Sequence, residues 1–229
     1  MSTSGTYAFN PALGEIVLYA FGQCGIRLTE LVQQHMFDAR MAANMVQSRW
    51  SAQGVNLWAV DLQTVPLVPG TATYSVPSTT VAMLDAYVTI GSGSTATNRY
   101  LLPISRSEYA SYPNPQQQGF PTVYWFDRLL SPTVTLYQTP DGNETSFSYY
   151  RMRQIQDAAM PDGAQVEVPY YFLEAFALAL AQRLAAMWAP DRAQGLKVLA
   201  DEAYNIAIEQ NVETANFYIS PMVQSYWRA

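Results

Sequence analysis

The spacing of apolar residues changes twice along the chain, and this change constrains the fold more than any other feature. Near both ends, apolar residues recur every three or four positions, as they do on one side of an α-helix. Between residues 56 and 155, short runs rich in Val, Thr and Tyr are separated by turn signals such as Gly-Ser-Gly-Ser and Pro-Asp-Gly-Asn, which is typical of strands joined by turns. The turn at residues 140–143 lies between two such runs and predicts a β-hairpin. The sequence therefore predicts an α+β protein.

Two helices are predicted before residue 56. We expect the first to begin with Asn10 as its N-cap and to end at Gly22 to Gly25, because Asn caps helices and Gly ends them. We expect the second to begin with Thr29 as its N-cap and to end at Gly54. Six apolar residues of the second helix lie three or four positions apart and predict a stripe that packs in the core. They are Val32, Met36, Ala39, Ala43, Val46 and Trp50.

Two more helices are predicted after residue 165. Helical spacing returns behind Pro169, stops at Pro190 and resumes from about residue 192 to residue 213, since proline suits a first turn but not a helix interior. We expect the stripe of the second helix to pack against the first of these two helices. The packing residues there are Phe172, Phe176 and Leu180, and the same apolar side includes Leu173, Leu184 and Met187. The last helix is expected to turn inward Leu196, Leu199, Ala203, Ile206 and Ala207.

These patterns divide the chain into three parts. Residues 1–55 and 165–213 are predicted to form a discontinuous helical domain, a four-helix unit built from both chain ends, and residues 56–164 an inserted antiparallel β domain, either a sandwich or a barrel. An extended C-terminal tail, residues 214–229, shows neither helical nor strand spacing. Because its large apolar side chains are costly to leave in water, the tail either folds back on its own domain or docks on another protein. The tail residues expected to make this contact are Phe217, Tyr218, Ile219, Pro221, Met222, Tyr226 and Trp227.

The composition limits the chemistry that the chain can perform. Eighteen acidic and twelve basic residues give a net charge of −6, and Lys197 is the single lysine, which disfavours nucleic-acid binding through phosphates. The single cysteine, Cys24, cannot form an intrachain disulfide, and the single histidine, His35, excludes metal sites that need two imidazoles. His35 lies within a long helix, where packing or surface histidines are far commoner than catalytic bases, and a lone Cys24 is more often a small apolar residue than a nucleophile. We therefore expect no catalytic residue, no metal ion and no cofactor.

Other uses of the chain stay open at this point. Sixteen Tyr and five Trp could stack on sugars, although most lie in strand-like runs where alternate positions are core. A carbohydrate-binding module or another β-sandwich interaction module is therefore the alternative function. Acidic pairs in the β region could act as in a glycosidase, but their spacing does not distinguish them from surface charge.

One segment has the length of a membrane span, residues 170–189. It contains Glu174, Gln182 and Arg183, and its bulky residues follow one helical face, so an amphipathic core helix is expected instead. The opening residues lack the basic and apolar regions of a secretory signal. We therefore expect a soluble intracellular product that does not contact a membrane.

Several motifs occur in an order that is characteristic of one group of proteins. A short helix closed by glycines and a long alanine-bearing helix precede Arg49-Trp50, then GVNLW at residues 54–58 and a strand–turn phrase at residues 70–77. Further along the chain, PISRSEYASYP, GFPTVYWFDR and VPYYFLEAFALALAQRLA follow. This order resembles the phage head-to-tail adaptor (connector) proteins, which include the tail accessory, tail tubular protein A-like group. The resemblance covers about residues 12 to 213.

The resemblance implies a structural protein of a tailed-phage virion that catalyses no reaction. Such adaptors form a dodecameric ring beneath the portal protein and join the DNA-filled head to the tail. The implied partners are the portal protein, neighbouring adaptor subunits and a tail nozzle or tail tube component, with tail fibres as a further candidate, while DNA only passes through the lumen. Adaptors usually bind the portal through an extended C-terminal segment, which assigns portal binding to the C-terminal tail by its position. The implied location is the virion, after synthesis in the host cytoplasm.

Overall fold

A computed structural model describes residues 5–7, 9–159 and 163–212. In these residues the chain has five α-helices and seven strands, so the predicted α+β class is confirmed. The helices are α1 Leu13–Cys24, α2 Gln33–Gln53, α3 Arg106–Ser111, α4 Leu173–Trp188 and α5 Pro190–Gln210. The strands are β1 Val60–Pro66, β2 Thr73–Ser75, β3 Thr80–Ile90, β4 Thr97–Pro103, β5 Val123–Asp127, β6 Thr133–Tyr137 and β7 Glu144–Arg153.

Helix α4 lies at the centre of the helical part. It contacts α1, α2 and α5, and most of its residues are buried. Gln182, Arg183, Ala186 and Met187 lie on its one less buried side, so α4 is the amphipathic core helix that the sequence predicts. Residues of all four helices share one buried cluster. In this cluster the ring of Trp50 on α2 lies 5.3 Å from that of Phe172 and 5.9 Å from that of Phe176, measured between ring centroids. Within the described residues, no helix is long and apolar enough to span a membrane.

Both N-terminal helices begin later than the sequence suggests. The N-cap of α1 is Ala12, not Asn10, and the Ala12 N–H donates to the Glu15 carboxylate at 3.0 Å. The expected cap Thr29 lies instead in a separate 3₁₀ turn, and α2 starts at Gln33 with Val32 as its N-cap. Val32 is therefore 57% exposed, and its inclusion in the packing stripe was wrong because the stripe begins only where the helix does.

Helix α5 buries a narrower stripe than expected. Leu199 and Ile206 are exposed, so the prediction that they face inward was wrong. The line that packs consists of Leu196, Ala200, Ala203 and Ala207. At 100° per residue, Leu199 and Ile206 lie about 60–80° from the position of Leu196 on the helix circumference, where no described element covers them. On α4, the prediction that Met187 belongs to the core was also wrong: Met187 lies one residue before the helix ends at Trp188, borders the open groove between α2 and α4, and is 53% exposed.

The strands form one sheet in the order β1-β7-β3-β4-β5-β6-β2. Strand β4 pairs antiparallel with β3 up to Leu101, and from Leu102 it pairs in parallel with β5. The expectation of a purely antiparallel domain was therefore wrong at this pair. Because β4 changes partner midway, the sheet curls on itself, and its two halves enclose a second apolar core. The largest fully buried members of this core are Leu101, Tyr124, Leu136, Phe147 and Tyr149.

The predicted hairpin at residues 140–143 is also wrong. This turn joins β6 to β7, but β6 pairs with β5 and β2, whereas β7 pairs with β1 and β3. The turn instead carries the chain from one half of the curled sheet to the other. The Pro140 carbonyl accepts the Gly70 N–H at 2.9 Å, so this turn is held by another loop rather than by its own strands.

Candidate assembly surfaces

The residues predicted to bind the portal, Phe217, Tyr218, Ile219, Pro221, Met222, Tyr226 and Trp227, lie outside the described residues. The described part ends at Val212, shortly after α5 ends at Gln210. Val212 is exposed and lines a cavity of about 420 Å³ together with Leu57, Trp58 and Tyr171. An apolar hollow therefore lies next to the point where the C-terminal tail departs.

His35 has a structural environment. Its ring is 7% exposed and lies 5.2 Å from the ring of Phe21 and 4.1 Å from that of Trp188, between centroids. The His35 Nδ1 accepts the backbone N–H of Val32 at 3.1 Å. This bond satisfies one of the free N–H groups at the start of α2, so the imidazole acts as a helix cap and as a packing residue.

Cys24 is also buried in the helical core. Its thiol lies 3.5 Å from the Ala181 carbonyl oxygen, to which it donates. Burial raises the pKa of the Cys24 thiol, although the positive charge of Arg192 opposes this. A thiol that is buried and held neutral is a poor nucleophile, which fits the small apolar role expected of this residue.

Two arginines pair with carboxylates where the sheet meets the segment before α4. Arg151 is buried and donates to both Asp61 carboxylate oxygens, at 2.7 and 3.1 Å. Arg153 is bonded to the Glu167 carboxylate, which also accepts the Gln156 N–H at 2.8 Å. These hydrogen bonds lower the pKa of Asp61 and of Glu167. Both carboxylates are thus ionised and engaged in holding the chain together, unlike a raised-pKa acid in a glycosidase.

The aromatic residues of the β region are divided between core and surface. Tyr124, Phe147 and Tyr149 are buried in the sheet core, and burial raises the pKa of Tyr124 to about 12. The Tyr124 hydroxyl donates to the Leu84 carbonyl at 3.0 Å. These rings are not accessible to a sugar. Among the described residues, no group of three or more His, Cys, Asp and Glu side chains could hold a metal ion.

A groove between α2 and α4 is one of the exposed apolar surfaces on the helices. Its α2 side carries Phe37, Met41 and Met45, all exposed, and its volume is about 480 Å³. The two arginines that line it, Arg49 and Arg183, form no salt bridge within the described part of the chain. Burial lowers the pKa of Arg183, and the positive charge of Arg49 lowers it further. This α2/α4 groove is therefore apolar with an excess of positive charge.

Another exposed surface lies on α5, from about 60° to about 160° away from Leu196 on the helix circumference. Exposed Val198, Leu199 and Ile206 lie on it, and we refer to it with its acidic residues as the α5 outer face. Those acidic residues are Glu202 and Glu209, which lie between Val198 and Ile206 on the helix circumference, and no basic residue occurs between positions 198 and 210. The two surfaces share no residue and carry opposite charge.

Sequence reasoning did not identify either surface. It assigned the α2 stripe to the core and passed over Phe37, Met41 and Met45, which lie on the other side of that helix. A signal was present, because these three residues are four positions apart and form a second apolar line. For α5, the same spacing was interpreted as core.

A family model described as SU10 adaptor protein matches residues 27–224 of the chain. The match includes α2, the whole sheet, α4 and α5. No curated protein matches the chain.

Proposed function

Because the chain belongs to the SU10 adaptor protein family, a family of phage head-to-tail adaptors, we propose that it is the virion protein that connects the DNA-filled head to the tail. The observation that carries this proposal is the family match over residues 27–224. The composition supports it: 13% charged residues is about half the usual share of roughly 25%. A subunit whose surface is largely covered by neighbours needs few charges to stay in solution.

We propose that the four long helices, from residues 1–55 and 165–213, form the ring-building unit of a homododecamer beneath the portal. Residues 56–164 then project outward as a separate β domain toward a tail nozzle, tail tube or tail fibre protein. Genome DNA passes through the lumen of this ring without being retained. The net charge of −6 and the single lysine support such a passage, since DNA is held by clustered basic residues.

The C-terminal tail is proposed to bind the portal. It follows α5, and its large side chains recur with neither helical nor strand spacing, so the tail cannot build a core of its own. Buried aromatic anchors commonly cost ~2 kcal/mol or more each on truncation to Ala, and Pro221 limits the entropy lost when the tail becomes ordered. One such tail in every subunit of a ring would make attachment effectively permanent through multivalency.

Deleting residues 216–229 tests this proposal. The shortened protein should stay folded with an unchanged melting temperature, but it should no longer attach to DNA-filled heads in a co-sedimentation assay. Tyr226→Ala with Trp227→Ala should weaken attachment in the same direction. Gln224→Ala with Ser225→Ala is the matched control, because it changes two polar residues of the same tail and should leave attachment unchanged.

The opposite pair of results would contradict portal binding by the tail. If the deletion lowers the melting temperature while the remaining protein still attaches to heads, the tail stabilises its own subunit. The apolar hollow next to Val212 is then its binding place. Attachment to heads by the full chain is the separate test of the adaptor role itself.

A further inference from the structure

Two helical surfaces of this chain complement each other in shape and in charge. The α2/α4 groove has an apolar line from Phe37 through Met41 to Met45. On the α5 outer face, exposed Val198, Leu199 and Ile206 lie around Glu202. Phe37 and Met45 are eight positions apart, as are Val198 and Ile206, and eight positions of helix are about 12 Å at 1.5 Å per residue, so the two apolar surfaces match in length.

The side chains in the groove suit a protein contact. Methionine is flexible and polarisable, and it therefore packs well against apolar side chains of irregular shape. Arg40 lies over the ring of Phe37 at 5.6 Å and adds a positive charge beside the apolar line. The groove is thus a shallow apolar surface bordered by guanidinium groups.

The two arginines of the groove outnumber its one lining carboxylate, Asp38, which accepts a hydrogen bond from the Gln34 side chain at 2.9 Å and forms no salt bridge with either arginine. Arg49 is close enough to lower the pKa of Arg183, and the salt bridges of the described residues involve neither of them. The same three salt bridges include neither Glu202 nor Glu209. A carboxylate brought against the two arginines would relieve their mutual repulsion, and the α5 outer face offers two carboxylates beside its apolar residues.

We infer that the α2/α4 groove of one copy receives the α5 outer face of the next copy. This inference rests on the proposed function, because it names the surfaces through which the ring forms. The contact is heterologous: two different surfaces meet, and each subunit keeps one free for a further neighbour. Repeated around an axis, such a contact closes into a ring, which a contact between two identical surfaces does not do.

Charge reversal on each side tests the inference. The groove-reversed variant is Arg49→Glu with Arg183→Glu, and the face-reversed variant is Glu202→Arg with Glu209→Arg. Full-length protein is incubated with the portal protein, and rings are counted by electron microscopy and sedimentation velocity. Each variant alone should form at least ~10-fold less ring than the unaltered protein, because like charges then face each other at every contact. Arg106→Glu with Arg128→Glu is the control, since both arginines are exposed and lie in the β region.

Mixing the two variants separates a direct pairing from an unspecific effect. In an equimolar mixture, the acidic groove of one variant meets the basic α5 face of the other, and the remaining contacts keep their original charges. Rings of alternating variants should therefore reappear. Both variants should also remain folded, because three of the four residues are exposed and the fourth, Arg183, is only half-buried at the edge of the groove.

A cysteine pair provides a second measurement that does not depend on charge. Met41→Cys with Ile206→Cys in one chain should give a ladder of disulfide-linked oligomers under oxidation, whereas either substitution alone should give no ladder. Cys24 is buried and does not compete.

The outcomes distinguish this inference from the adaptor role. If the unaltered protein attaches to heads but the reversed variants form rings as it does, or if their mixture forms none, then the two surfaces are not partners and only the inference falls. Loss of portal binding by the groove-reversed variant, with its rings intact, would mean that the groove receives the portal instead. If the unaltered protein neither attaches to heads nor forms rings, the proposed function falls and the inference with it.

Discussion

Replacing Ala43 by Asp tests the packing at the centre of α2. Ala43 is 0% exposed and belongs to the buried cluster that contains Phe176 and Leu180. The substitution adds the three heavy atoms of a carboxyl group at a fully buried position. An introduced carboxyl must either ionise without a partner or stay protonated, and both choices cost free energy.

The cost of keeping the carboxyl protonated sets the size of the expected loss of stability. A carboxyl with an ordinary pKa of about 3.9 that stays protonated at pH 7 costs about 4 kcal/mol, at about 1.36 kcal/mol per pKa unit. Overpacking of a filled core adds about 1–3 kcal/mol, while relaxation of the neighbours returns part of the total. We therefore expect the free energy of unfolding to fall by about 3–5 kcal/mol. For a chain of this length the melting temperature should drop by roughly 6 to 20 °C.

Thermal unfolding followed by circular dichroism measures this drop. The matched control is Ala52→Asp, the same change at an exposed position of the same helix, which should cost about 1 kcal/mol or less because a charge near the helix C-terminus opposes the dipole only weakly. The difference between Ala43→Asp and the unaltered protein should also narrow as the pH falls toward 4. There the carboxyl is protonated in the unfolded chain as well, and the penalty for its charge disappears. Equal melting temperatures for the two variants would refute the burial of Ala43 against α4.

Two further predictions concern the polar groups that hold the elements together. Because the folded-state pKa values of Asp61 and Glu167 lie below their ordinary values of 3.8 and 4.5, their stabilisation is complete above those values and is lost as the pH falls through the folded-state pKa. Asp61→Asn should cost about 2 kcal/mol at pH 7. The difference in melting temperature between this variant and the unaltered protein should shrink below about pH 4, as Asp61 becomes protonated. A difference that stays constant down to pH 3 would exclude the ion pair as its cause. His35→Ala removes the cap of α2 and should cost ~1–2 kcal/mol, whereas Gln34→Ala, one exposed position earlier, should stay within about 0.5 kcal/mol.

The division into helices and sheet could be predicted because the two periods of 3.6 and 2 residues are local properties of the sequence. The ends of α1 and α2 were set at Gly25 and Gly54 for an equally local reason. Both residues adopt φ values of 82° and 71°, which favour glycine over residues with a Cβ. Helix beginnings were less predictable, because the N–H groups there found acceptors other than the Asn10 and Thr29 side chains. The Ala12 N–H donates to the Glu15 carboxylate, and the Val32 N–H donates to His35 Nδ1.

The topology of the sheet was not predictable in the same way. Which strands pair depends on contacts between residues far apart in sequence, such as Val88 opposite Phe147, and no local pattern records them. The turn at residues 140–143 has the composition of a hairpin turn, yet its strands belong to different halves of the curled sheet. Turn composition therefore indicated where the chain reverses but not what its strands pair with.

Apolar spacing identifies residues that must leave water, but it does not identify what covers them. Ile206 and Leu199 follow the helical period of α5 as well as Leu196 does, yet only Leu196 is buried within its own chain. A free subunit exposes Leu199 and Ile206, and also Phe37, Met41 and Met45, to water. Burying this apolar surface on association would gain roughly 25 cal/mol of free energy per Å², before the entropy of association is subtracted. The interpretation of every periodic apolar residue of α5 as core was therefore wrong for Leu199 and Ile206. For a ring-forming subunit, we expect part of the sequence that looks like core to belong to the contacts between copies.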